Sequence, residues 1–217
     1  MMPSIIRILA AMPTASPLPR CLSGVLALVA GIGLALQWVV AIDYFGGWWP
    51  ATSALLMFFT ILTNLQLLVV FGATALGARW AMRPGLRGWV VLSIVLVGTV
   101  AWALSLGQAA NGSLAGVVDT LLHVATPLLS AICWLALPHG GLRWRHPGYW
   151  SVALALYLAY ALWRGSHGTF YPYPFIDLGA LPPTTVALNV ACIGGVFLLA
   201  GFALVGLDRT LAARIPK

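Results

Sequence analysis

The chain has very little charge. Only 7% of its 217 residues are Asp, Glu, Lys or Arg, and the acidic ones number four. A water-soluble domain carries about 25% charged residues, so this composition excludes an ordinary soluble domain. Cysteine is scarce too. Cys21, Cys133 and Cys192 show no paired spacing, which leaves no disulfide framework and no Cys-x-x-Cys motif. Each falls in an apolar run, where a free thiol behaves as a small hydrophobe. A Gly-x-Ser-x-Gly elbow is missing. Haem would need a second histidine at membrane depth, and a metal would find only His123 and Asp119 together, fewer ligands than a site requires. The sequence therefore predicts neither cofactor nor metal.

Apolar sequence is abundant, at 61% hydrophobic residues and a mean hydropathy of +0.98. Six apolar runs lie at about 21–42, 51–76, 87–107, 115–137, 148–165 and 184–206. They are continuous rather than alternating, which favours helices over a barrel, and about 20 residues suffice to cross a bilayer core. The expected fold is an all-α membrane protein, a bundle of six transmembrane helices over residues 21–207. Residues 1–20 and 208–217 read as cytoplasmic tails. The stretch Ile5–Met12 is short, and Pro13, Pro17 and Pro19 spoil a cleavage site, so the N-terminal segment is expected to be retained.

The formal charge of +7 raises the question of nucleic acid. The basic residues, however, are spread over short loops and tails with no basic face, which argues against such a partner. All eleven Lys and Arg except Arg164 fall on one side of a six-span chain. The positive-inside rule puts that side, with both termini, in the cytoplasm. Asp43, Asp119 and Asp177 then gather outside with Arg164, where Arg164 and Asp177 are expected to form an ion pair or an outer rim. Trp48 and Trp49 suit the interfacial aromatic belt.

Polar groups at membrane depth are costly and usually face the bundle interior. Counting inward from the outer ends of the second and fourth runs, Thr60 and His123 reach one level, about 12–13 Å deep. Asp119 lies one turn above His123 on the same face, and Thr63 and Asn64 share the face of Thr60. Tyr160, Asn189 and Gln108 are expected toward the same outer side, with fewer polar groups in the cytoplasmic half. This predicts an outward-facing pocket rather than a channel.

Thr with His is a usable chemical pair. A hydroxyl becomes a nucleophile once a base takes its proton, and Asp119 could hold the imidazole in the right tautomer. A continuous helix has no free N–H groups for an oxyanion, so those donors would have to come from Asn64, Asn189 or Tyr160. Without catalysis, the same cluster would serve a small-molecule transporter or ligand-binding protein, or only the structure of an accessory subunit.

Phe58-Phe59-Thr60-Ile61-Leu62-Thr63-Asn64, Asp119-Thr120-Leu121-Leu122-His123 running into Pro127, and Tyr171-Pro172-Tyr173-Pro174-Phe175 resemble a bacterial family of six-span membrane proteins. That family is distantly similar to the eukaryotic androgen-induced-gene and androgen-dependent TFPI-regulating proteins, membrane hydrolases that use a Thr–His pair. The resemblance implies a location in the bacterial inner membrane, Thr60 as nucleophile and His123 as base. It also implies a role in lipid metabolism, with fatty acid esters of hydroxy fatty acids or similar acyl esters as substrates. The Tyr-Pro-Tyr-Pro loop has no clear eukaryotic counterpart.

Overall fold

The computed structural model describes residues 17–104, 112–168 and 170–213, and all their regular structure is helical. The helices are α1 (Pro17–Phe45), α2 (Trp48–Leu55), α3 (Phe59–Ala75), α4 (Pro84–Ala103), α5 (Leu114–Ala136), α6 (His146–His167) and α7 (Pro183–Ala213). Short 3₁₀ turns lie at Arg79–Met82 and Pro174–Ile176. Four helices, α1, α4, α5 and α7, are long and apolar enough to cross a membrane, and α2 with α3 makes a fifth if counted as one bent span. The helix α6 has the length, at 22 residues, but its Tyr, Trp, His and Arg content makes it less apolar.

One core joins α1, α3, α4, α5, α6 and α7 through Leu26, Phe71, Ile94, Trp134, Leu158 and Phe197. A smaller one sets Leu34 of α1 and Leu55 of α2 against Ile61 and Leu122. Large apolar side chains such as Leu28, Val95, Leu135, Leu156 and Leu199 point outward. Glycines allow close approach where helices cross, as small residues do in membrane bundles. A Cβ on Gly33 would lie 2.7 Å from Leu122, and one on Gly98 would lie 2.9 Å from Pro127 and 3.0 Å from the His123 carbonyl oxygen.

Two helical irregularities shape the upper half. The run expected as one helix over 51–76 is broken: α2 and α3 meet at 90°, with Phe58 extended between them. The freed backbone groups are satisfied from far along the chain. The Tyr157 hydroxyl donates to the Met57 carbonyl (3.0 Å), the Tyr160 hydroxyl to that of Leu56 (3.3 Å), and Arg164 to that of Ser53 (3.2 Å). In α5, residues Leu121–Ala125 form a π turn in which the Thr126 N–H bonds the Leu121 carbonyl. Its cause is Pro127, which cannot donate to His123 and whose ring would strike that carbonyl in a regular α-helix.

The opposite end gathers the basic segments. Arg20 bonds the Ala75 carbonyl, Trp150 bonds that of Gly85, and Arg209 lies over Trp144. The last helix also runs past the expected tail boundary at 208, and Asp208 is buried. It accepts the Gly140 and Leu142 N–H groups at 3.0 and 2.9 Å and pairs with His139 at 3.2 Å. Arg87 is buried near this end, with one bond to the Pro138 carbonyl. Buried polarity is therefore not confined to the outer half, because the 138–142 turn needs an acceptor for its own N–H groups.

Candidate functional site

Thr60 is the second residue of α3, so its place is set by the break and not by depth along a continuous helix. His123 sits in the π turn of α5. The two meet: Thr60 Oγ1 lies 3.3 Å from His123 Nε2, and His123 Nδ1 lies 2.8 Å from Asp119 Oδ1. An ionised carboxylate only accepts, so Nδ1 carries the imidazole proton and Nε2 is left as an acceptor. The Thr60 hydroxyl then donates to Nε2, which is the polarity a general base needs. Asp119 and His123 are about a quarter exposed (26% and 24%), whereas Thr60 is 7% exposed.

This line opens into a cavity of about 290 Å³. Its walls are apolar, with Leu55, Phe58, Leu96, Val100 and Ile193 among them. The polar lining groups are Gln37, Thr60, His123, Tyr157 and Tyr173. None of the described lining residues is Asp, Glu, Lys or Arg. Among the described residues, no group of three or more His, Cys, Asp or Glu could hold a metal ion.

The break corrects the expectation that no backbone N–H is free near Thr60. Phe58 caps α3 with no side-chain bond. The Phe59 N–H donates to the hydroxyls of Tyr173 (2.9 Å) and Tyr157 (3.1 Å), and the Thr60 N–H donates to Tyr173 at 3.4 Å. Tyr173 also lines the cavity beside Thr60. Burial holds its phenol above the ordinary range, so it keeps its proton.

Other expected members are near but not in the cavity wall. Thr63 bonds the Phe59 and Thr60 carbonyls, as intramembrane threonines commonly do. Asn64 donates to the Thr60 carbonyl at 2.8 Å and is fully buried. Both brace the first turn of α3. Tyr160 ties α6 to the break, and Asn189 holds the Phe175 carbonyl at 2.9 Å, fixing the aromatic loop. The expected Arg164–Asp177 ion pair is not formed. Arg164 reaches inward to Ser53 and Tyr160, where the break exposes acceptors, and Asp177 accepts the Gly179 N–H within its own turn. Gln108 lies outside the described residues.

Sequence reasoning missed Gln37, Tyr157 and Tyr173 as cavity groups. For the tyrosines a signal existed, since a buried phenol hydroxyl requires a partner. The chain matches no known protein family, no curated protein and no solved structure.

Proposed function

We propose that the protein is an intramembrane hydrolase of fatty acyl esters, with Thr60 as nucleophile, His123 as general base and Asp119 as the group that orients His123 and balances its charge. The observation that carries this reading is the continuous hydrogen-bonded line Asp119–His123–Thr60 ending at an apolar cavity. The Thr–His membrane hydrolase resemblance of the sequence motifs supports the same assignment.

Thr60 Oγ1 attacks the ester carbonyl while His123 Nε2 takes its proton. The imidazolium formed is held by the Asp119 carboxylate at Nδ1. On collapse, the departing alkoxide takes the proton from Nε2, leaving acyl-Thr60 and a neutral base. Water then attacks the acyl-threonine with His123 again as base; on collapse the acyl–Oγ1 bond breaks, Thr60 Oγ1 takes the proton back from Nε2, and the acid is released. The charge-free walls suit an acyl chain, and the free carboxylate of a hydroxy fatty acid ester would lie outside them.

In this reading the chain spans the bacterial inner membrane six times with both termini cytoplasmic. Supporting observations are the 22-residue length of α6, its outward Val152, Leu156 and Trp163, and the gathering of the basic loops at the end away from Thr60. The test is reaction of the purified protein in detergent with a fluorophosphonate probe. A single adduct on Thr60, absent in Thr60→Ala and slowed in His123→Ala, is expected. Labelling unaffected by either substitution would end the hydrolase reading and leave a ligand-binding role for the cavity.

A further inference from the structure

A tetrahedral intermediate at Thr60 needs a hydrogen-bond donor for its oxyanion, and the N–H groups that begin α3 already face tyrosine hydroxyls. Tyr173 is the telling one. Its oxygen accepts from the Phe59 and Thr60 N–H groups, which use its acceptor positions. Its own proton is then the part left to offer, and Tyr173 lines the same cavity as Thr60, with the Tyr157 hydroxyl as its other neighbour. Thr60 in turn gives its proton to His123.

We propose that the Tyr173 hydroxyl donates the hydrogen bond that stabilises the oxyanion formed when Thr60 attacks an acyl carbonyl, with the first N–H groups of α3 acting on that charge through it. This rests on the hydrolase reading of the same site. As the Thr60 Oγ1–carbon bond forms, the carbonyl π pair moves onto oxygen and the oxyanion accepts the Tyr173 O–H without taking its proton. When the alkoxide leaves, the pair returns to the carbonyl and the hydrogen bond relaxes. Two N–H donors and the positive end of a 17-residue helix withdraw density from the phenol oxygen and make its O–H a stronger donor.

The position is held rather than poised to move. The Tyr173 ring stacks on Phe175 with centroids 5.1 Å apart and meets Phe58 edge-on at 5.8 Å. Ile176 is fully buried, Asn189 bonds the Phe175 carbonyl, and the Tyr171 ring lies against Gly165, where any side chain would clash. A donor fixed before the reaction costs no reorganisation during it, which is what gives such groups their effect.

The experiment is ester turnover by the purified full chain in detergent, with p-nitrophenyl esters of medium-chain acids as probe substrates. Tyr173→Phe is expected to lower kcat about 100-fold or more with KM within about threefold, the pattern of a contact made in the transition state. Tyr149→Phe, which loses an exposed hydroxyl at the far end of α6, keeps kcat within about threefold. Turnover that needs Thr60 but survives Tyr173→Phe at near wild-type kcat overturns the role of Tyr173 alone. Absence of turnover and of fluorophosphonate labelling in the wild type overturns the hydrolase reading with it. Should Tyr173→Phe fail to fold, a fluorinated tyrosine at 173 keeps the ring and an acidified hydroxyl. Its stronger O–H donor should then change kcat while leaving KM within about threefold, and a kcat that fluorination does not move overturns the proposal.

Discussion

Asp119→Asn tests whether the carboxylate works in the reaction or merely charges the outer surface. The substitution keeps the shape and an oxygen that can accept from His123 Nδ1, so the main loss is the negative charge facing the imidazolium. Opposite charges about 4 Å apart interact by about 4 kcal/mol at an effective dielectric of about 20. The two side chains are 26% and 24% exposed, so water recovers part of this. About 2–3 kcal/mol of transition-state stabilisation should remain attributable to Asp119, a loss of roughly 10²-fold in kcat. KM should hardly move, because Asp119 bonds His123 without lining the cavity. The assay is p-nitrophenyl ester turnover beside the second-order rate of fluorophosphonate labelling, and both should fall together. A kcat within threefold of wild type, in a preparation that Thr60→Ala silences, would refute the reasoning.

Three further perturbations follow from particular contacts. Tyr157→Phe removes the donor to the Met57 carbonyl at the break and one partner of the Phe59 N–H, and should cost about 1–3 kcal/mol, read as a lowered Tm in detergent. An unchanged Tm would mean that the break is held by other contacts. Asp208→Ala strands the Gly140 and Leu142 N–H groups and leaves His139 and buried Arg87 without their acidic neighbour. A loss of about 3 kcal/mol or more is expected in unfolding, with kcat of the folded fraction intact. Pro127→Ala restores an N–H that can bond the His123 carbonyl, so the π turn reverts to α and the His123 face rotates away from Thr60. Turnover should fall at least about 100-fold with no matching fall in Tm, and equal losses in both would refute it.

The sequence makes some of this legible and hides the rest for identifiable reasons. Apolar runs mark the helices because burying backbone polar groups in lipid leaves few alternatives. The Asp119–His123 contact is readable as well, since residues four apart share a face. The break between α2 and α3 is not, for nothing between Pro50 and Gly72 is a helix breaker. It is stabilised by Tyr157, Tyr160, Arg164 and Tyr173, about a hundred residues away, and no local pattern can report such partners. Pro127 announces a disturbance in α5 but not its phase. Gly98 of α4 lies against the His123 carbonyl and Pro127, a contact between helices that no local pattern reports.

The two irregularities do their work at the same place. Each gives up regular helical bonds, and a freed group that went unpaired away from water would cost several kcal/mol. Pro127 accounts for the π turn and the tyrosines and Arg164 for the break, and both fall where Thr60 and His123 meet. A straight second helix would bury the Phe59 and Thr60 N–H groups in its own ladder, leaving Tyr173 nothing to accept. A regular fourth span would turn His123 off the line between Asp119 and Thr60. Conflicts between local rules and the fold are expected where a site requires them. Here removing either conflict would improve a helix and dismantle the hydrogen-bonded line. The hydrolase reading thus predicts that restoring either helix abolishes activity before it harms folding.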